Sequence, residues 1–422
     1  MWAVIDANSY FCSVEKAFHP GLNGKPVCVL SSNDGIIVAL TPEAKALGLH
    51  RGDPLFKVQS IVERNDVRIF SGNMMLYAAM SGRVQNIIRK SVDYVESYSI
   101  DEMFADLSGF GTHCNVEDCM RALAGKIKLW TDIPVSIGVA PTKTLAKMGS
   151  KFAKNYPGYR SVCMIDSDTK RRKALELSEL SEVWGVGRRN YAKLLRLGVR
   201  TPLEFADKSA EWVARHFTKP GMQTWMELNG KPCIDTAEVL QRQSISTSRS
   251  FGEMVDSLDA LKASVASFTA SCSNKLRAQG SVAGSLTVYL CSNFFRKDLE
   301  QYFNIRTYRF PVSTSDMVEM TQAAMSLVEE IYKEGILYKK SGVILDDISS
   351  RHYIQQDLFD GIDNRPERME LSRSIDLLNR RYGLKTVSLA VEGPESGKWK
   401  VKSEHRSPNY LTDLDEILTI RI

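Results

Sequence analysis

The 422-residue chain contains no Cys-x-x-Cys pair. Its eight cysteines are scattered, the nearest two being Cys114 and Cys119, and no paired histidines accompany them, so a zinc site is not expected. The chain opens directly on a short apolar run, with neither a basic leader nor a long apolar segment. Neither a signal peptide nor a membrane span is expected, and the protein is read as reduced, cytoplasmic and without a membrane partner. Charge of one sign is not in large excess either: 55 Lys and Arg against 50 Asp and Glu leave a formal +5. That balance permits nucleic-acid binding without requiring it. A hydrophobic content of 43% with 25% charged residues excludes wholesale disorder, and the length exceeds what one hydrophobic core supports. Two or more domains follow.

What the chain does contain is a pair of adjacent carboxylates, Asp101-Glu102, inside the stretch from Val92 to Leu107. Polar and apolar residues alternate on either side of the pair, which reads as two strands meeting at a tight turn. Neighbouring negative charges there raise each other's pKa unless a cation neutralises them. A second apolar run, Trp2 to Ile5, ends at Asp6, where a strand's carboxyl end commonly carries ligand-binding groups. Three carboxylates on adjacent strands would form an oxygen site suited to Mg²⁺. Taken singly, Asp101 and Glu102 also suit an ordinary turn, and Asp6 a helix N-cap.

The words Ser99-Ile100-Asp101-Glu102 and Asp6-Ala7-Asn8-Ser9-Tyr10-Phe11 together closely resemble those of the Y-family DNA polymerases, and the resemblance covers nearly the whole chain. It implies an α+β multidomain fold, a right-hand polymerase with a ferredoxin-like palm, inserted fingers, a helix-hairpin-helix thumb and a ferredoxin-like little finger. The expected divisions are palm at 1–18 and 71–165, fingers at 19–70, thumb at 166–240, little finger at 241–350 and a clamp- and partner-binding tail at 351–422.

Local patterns agree with that order. Helical spacing covers 74–90 and 116–130, flanking the carboxylate hairpin, and Val135 to Val139 reads as a strand. Strand, helix, strand, strand, helix, strand is the ferredoxin-like succession. A compact segment with strands at 27–30 and 36–40 and a helix at 42–47 interrupts it. From Ala140 a helix runs on through Lys147, Lys151 and Lys154, its lysines recurring near one face. Trp184-Gly185-Val186-Gly187-Arg188-Arg189 suits a hairpin between two helices, whose backbone N–H groups can meet a phosphate. Beyond residue 245 the six-element succession returns, with helices at 258–278 and 316–334 and basic residues including Arg249, Arg277, Arg296 and Arg306, but without clustered carboxylates. Residues 367–382 read as one more amphipathic helix.

The resemblance assigns roles residue by residue. Asp6, Asp101 and Glu102 are the catalytic carboxylates holding two Mg²⁺ ions, with the Ala7 carbonyl as a further ligand. Phe11 is the steric gate against a ribose 2′-hydroxyl, with Tyr10 beside it, and Tyr10, Lys45 and Lys154 are nucleotide-binding. Gly185, Gly187, Arg188, Arg189 and Arg249 grip DNA, and Gln355, Leu358 and Phe359 form a sliding-clamp peptide. One departure is Pro42 before Glu43-Ala44-Lys45, where many members carry a tyrosine that contacts phosphate. The UmuC-like branch of the family further implies damaged primer–template DNA, dNTPs, a processed UmuD-like dimer, RecA and the sliding clamp as partners. The expected activity is error-prone translesion synthesis in the SOS response. A cyclase using the same palm chemistry leaves the hairpin, the second basic module and the clamp peptide without purpose. A catalytically silent DNA-binding scaffold leaves three carboxylates without purpose.

Overall fold

The computed structural model describes residues 1–110, 115–236, 241–355, 362, 364–383, 385–393 and 399–418. The chain forms two units, one of Met1–Val239 with Glu404–Ile422 and one of Leu240–Ser403.

In the first unit, β1 (Trp2–Ala7) is central to a five-stranded sheet. The segment 19–70 contributes β2 (Val27–Leu30), β3 (Ile37–Leu40) and β4 (Arg68–Ser71), and the main sheet is completed by β5 (Tyr94–Ser97), β6 (Glu102–Asp106), β7 (Val135–Ala140) and β8 (Val162–Met164). The main sheet has the order β5-β6-β1-β7-β8, with β1 antiparallel to both β6 and β7. Without β8 this is the spatial order of a ferredoxin-like β-α-β-β-α-β unit.

Side chains alternate across the pleat. Ala3, Ile5, Met103, Ala105 and Ile137 share a core with the helices Met74–Arg89 and Val116–Thr131, whereas Val4, Phe104 and Ala140 share one with the helix Lys143–Asn155. That helix lies so close to β7 that a Cβ on Gly138 would stand 2.0 Å from the Ala146 carbonyl oxygen.

The inserted segment forms a three-stranded sheet, β3-β2-β4, in which parallel β2 and β4 are joined through the helix Leu55–Arg64. Val27 and Val29 face the main-sheet core and Cys28 and Leu30 a smaller one, so the segment has no core wholly its own. Pro42 occupies the first turn of the helix Pro42–Ala46 behind the N-cap Thr41, a position where its missing N–H costs nothing.

Beyond β8 come the helices Asp168–Leu177, Arg188–Arg196, Pro202–Ala206, Ala210–His216 and Lys219–Leu228. The segment before Gly185 differs from expectation: it is a single 3₁₀ turn, Leu180–Glu182, since only four residues separate Ser178 from Val183. Gly185 has φ +94°, and a Cβ there would meet Thr224 Oγ1 at 2.2 Å.

The second unit has β9 (Ile245–Val255), β10 (Ser281–Ser292), β11 (Phe303–Thr314) and β12 (Tyr338–Ser350), with helices Leu258–Ala278 and Met317–Ile331 on the sheet. The expected succession is present, but the spatial order is β11-β10-β12-β9, so the second and fourth strands are central rather than the first and third. The helix Arg365–Tyr382 packs onto the same unit through Arg277, whose guanidinium spans both carboxylate oxygens of Asp376 at 2.6 and 2.7 Å. Trp399 is buried edge-on against Phe268.

The Lys143 ammonium anchors its helix inside the first unit. It donates to Glu96 Oε2 at 2.6 Å and to Thr236 Oγ1 at 2.9 Å, lies 4.2 Å from the centre of the Trp2 ring, and is 2% exposed. Glu227 accepts from the Thr144 N–H at 2.9 Å, placing a negative charge at the same helix start. Lys143→Met leaves Glu96 charged and buried and is expected to destabilise the unit by about 3–5 kcal/mol. The double variant with Glu96→Leu should recover most of that loss in urea unfolding followed by tryptophan fluorescence. An unchanged midpoint in the single variant would show that the pair is solvated.

Candidate active site

Register brings the carboxylates together. Asp6 lies directly opposite Glu102 across β1 and β6. Opposite residues project to the same face, and that face also carries Val4 and Phe104 and is covered by the helix Lys143–Asn155. Asp101 sits one residue earlier, in the turn, and its carbonyl accepts from the Ala7 N–H at 2.9 Å. Glu102 is thus a strand residue, and the turn proper ends at Asp101. The next turn is fixed as well: Asn8 Oδ1 accepts from Ser136 Oγ at 2.9 Å, and Ser9 Oγ donates to the Leu40 carbonyl at 3.0 Å.

Each carboxylate has a partner. Lys154 Nζ lies 3.0 Å from Asp6 Oδ2, Lys147 Nζ lies 2.6 Å from Glu102 Oε2, and Ser99 Oγ donates to Asp101 Oδ1 at 2.6 Å. Lys147 and Lys154 are seven residues apart on one helix, two turns, so both ammoniums meet the same strand face. Burial pushes the Asp6 and Glu102 carboxyls up, the lysines pull them back, and the charge of Asp101 raises both further. Lys147 is also caged by rings, 4.6 Å from Tyr98 and 5.2 Å from Trp184, and Trp184 Nε1 donates to the Tyr98 hydroxyl at 3.1 Å.

Among the described residues no three His, Cys, Asp or Glu side chains stand in a metal-ligating group. The donor set is nevertheless all hard oxygen, three carboxylates and the Ala7 carbonyl, which fits Mg²⁺ in kind. Ligation would require Asp6 and Glu102 to exchange lysine for metal.

Phe11 is half-buried and stacks on Tyr77, with ring centres 4.6 Å apart and planes 17° from parallel. Tyr10 turns inward: it is 4% exposed and its hydroxyl donates to the Tyr77 carbonyl at 2.7 Å. Lys45 is exposed on the helix Pro42–Ala46. Gly187 caps the helix Arg188–Arg196 with open space where a Cβ would be, and Arg188 and Arg189 are exposed. These residues belong to the first unit, whereas Arg249 is exposed on β9 in the second. Of the other basic residues there, Arg277 is committed to Asp376, Arg296 to Asp298 and Arg306 to Glu330. Gln355 is exposed, while Leu358 and Phe359 lie outside the described residues.

Lys147, Ser99 and Tyr77 have no assigned role in the sequence reading. The seven-residue spacing from Lys154 is a signal for Lys147. Ser99 is marked only as the first residue of the word Ser99-Ile100-Asp101-Glu102, and nothing local marks Tyr77.

Two models of one family match the chain: the impB/mucB/samB family over residues 5–151 and the impB/mucB/samB family C-terminal domain over residues 242–358. A domain of unknown function (DUF4113) matches residues 369–420. Protein ImpB and Protein UmuC, both of Salmonella typhimurium, are each 35% identical to the chain over the full length of both sequences. Protein MucB of Escherichia coli is 35% identical over 98% of each. Among solved structures, a Dbh-based Y-family DNA polymerase chimera aligns with TM-score 0.65 at 21% identity, covering 83% of this chain and 100% of its own. The insertion ternary complex of Dbh DNA polymerase aligns at 0.53 over the same shares. No helix among the described residues is long and apolar enough to cross a membrane. With full-length relatives at this identity, and a polymerase fold around the paired carboxylates, the chain belongs to the impB/mucB/samB family of UmuC-like Y-family DNA polymerases.

Proposed function

We propose that Asp6, Asp101, Glu102 and the Ala7 carbonyl hold two Mg²⁺ ions for template-directed nucleotidyl transfer. The observation that carries this reading is the register of Asp6 with Glu102, with Asp101 at the adjoining turn. The chain is an error-prone translesion DNA polymerase, acting on damaged primer–template DNA with dNTPs in SOS mutagenesis and DNA repair. In the reaction the primer 3′-oxygen attacks the α-phosphorus in line and pyrophosphate leaves. Asp6, Asp101, Glu102 and the Ala7 carbonyl would hold the two divalent ions, which when bound would lower the pKa of the attacking hydroxyl and neutralise the leaving charge.

The protein's own groups supply the rest. Lys154, released from Asp6, has its ammonium free for the triphosphate, and Lys45 adds a second cation. Lys147 remains held by Tyr98 and Trp184, keeping positive charge beside Glu102. The Phe11 ring occupies the space a 2′-hydroxyl would need. Gly187, Arg188 and Arg189 present a helix start and two guanidiniums to backbone phosphates, and Arg249 provides a grip on the second unit. With Pro42 in place of tyrosine, no side-chain hydroxyl reaches phosphate from that position. The UmuC-like kinship extends the reading to a processed UmuD-like dimer, RecA and a sliding clamp, and to a cytoplasmic setting.

Primer extension across an abasic template in Mg²⁺, with and without a UmuD-like dimer and activated RecA, tests the site. Asp101→Ala is expected to lower extension by about a thousandfold or more, the scale of losing several kcal/mol of charge stabilisation, while DNA binding persists. Extension near the wild-type rate in that variant would remove the metal assignment, and none in the wild type under any condition would favour a silent scaffold. Phe11→Ala is expected to raise ribonucleotide insertion relative to deoxyribonucleotide, read as the ratio of kcat/KM values. An unchanged ratio would remove the gate assignment.

A further inference from the structure

Residues 404–411 return to the first unit and seat against its core. Ser71 donates its N–H to the His405 carbonyl at 3.0 Å and accepts from the His405 N–H at 2.9 Å through its hydroxyl, while the Glu404 N–H reaches Asp34. Asn73 caps the helix Met74–Arg89 with Oδ1 and donates from Nδ2 to the Ser407 carbonyl at 2.8 Å. Tyr410 stacks on Phe18 at 4.8 Å.

At the centre of this contact is Glu15, which is 0% exposed. Its Oε1 accepts from two hydroxyls, Tyr77 at 2.7 Å and Ser407 at 2.9 Å. Its Oε2 is buried and has no hydrogen-bond partner among the described residues. Burial pushes this carboxyl up, and the two hydroxyls pull it back together with His19. The Tyr77 ring, held at its hydroxyl by Glu15, is the ring on which Phe11 stacks.

We propose that Ser407 is a positioning residue for sugar discrimination, acting through Glu15 and Tyr77 to hold the Phe11 ring in place. This rests on Phe11 being the gate. A gate works by occupying a volume to a fraction of an ångström, so its orientation depends on what fixes the ring behind it. Tyr77 can stay at one angle only while its hydroxyl keeps its acceptor, and that acceptor is a buried carboxylate with two donors. Removal of Ser407 Oγ leaves Glu15 with one donor and a reason to seek another, which tilts Tyr77 and opens room beside Phe11. The match of residues 369–420 to a domain of unknown function thereby gains a role at its carboxyl-terminal end: completing the nucleotide selector.

The test is single-nucleotide insertion by the full chain under the conditions that support extension, with kcat/KM measured for a dNTP and the matching rNTP. Ser407→Ala is expected to raise the ribonucleotide-to-deoxyribonucleotide ratio by about tenfold, the effect of one lost hydrogen bond to a charged group. Ser407→Thr keeps the hydroxyl and should restore the wild-type ratio. Tyr77→Phe, which keeps the ring and loses only the hydroxyl, should raise the ratio similarly, and combining it with Ser407→Ala should add nothing further. Tyr410→Ala loosens the same segment away from Glu15, and a role in stability alone would make it and Ser407→Ala slow both nucleotides in proportion. That proportional loss, or an unchanged ratio in Ser407→Ala while Phe11→Ala shifts it, overturns the proposal. A ratio unmoved even by Phe11→Ala overturns the gate reading beneath it.

Discussion

Asp6 and Glu102 face each other across two antiparallel strands, and that alignment sets two carboxylates side by side on one face of the first unit's main sheet. Two carboxylates held by the backbone on one face cannot separate to relieve their repulsion. The sheet can carry them because a lysine-bearing helix lies on the same face, with ammoniums two turns apart. The close approach of that helix at Gly138 and the burial of Lys143 against Glu96 serve this arrangement, since the two lysines reach the carboxylates only if the helix cannot slide. Positive charge is thus built into this face of the sheet directly beside the carboxylates.

The same helix separates two kinds of cation. Lys154 pairs at 3.0 Å from a position where its side chain is 36% exposed, whereas Lys147 pairs at 2.6 Å and is enclosed by aromatic rings. The more exposed ammonium can leave its carboxylate at lower cost. The caged one is held beside Glu102 by the Tyr98 and Trp184 rings.

Much of this was legible without coordinates, and for identifiable reasons. The strand Val27–Leu30 and the helix Leu258–Ala278 carry apolar patterns long or dense enough to define both ends, and their boundaries match the sequence reading. β4, polar at both ends with Arg68 and Ser71, and β8, of only three residues, display no apolar run or period, and both escaped it. So did the helix Leu55–Arg64 and the short helices between Pro202 and Leu228. The succession of the second unit was readable, but not which strands pair, because alternation reports a face and not a neighbour. Residues 351–422 read as a clamp- and partner-binding tail, and within them Ser407 is buried against Glu15, 392 residues away. No local pattern encodes a contact of that separation.

That separation has a consequence for how the protein comes into being. Synthesis at about 5–20 residues per second puts roughly 20–80 s between the emergence of Glu15 and that of Ser407. Every carboxylate of the site, and the rings behind it, are made and can fold in that interval, while the buried acid waits with one of its two donors still unmade. A chain that stops before Ser407 carries Asp6, Glu15, Asp101 and Glu102 but lacks both the hydroxyl that Glu15 accepts from and the Tyr410 ring that stacks on Phe18, so the packing around Glu15 is complete only once translation has run on to Tyr410.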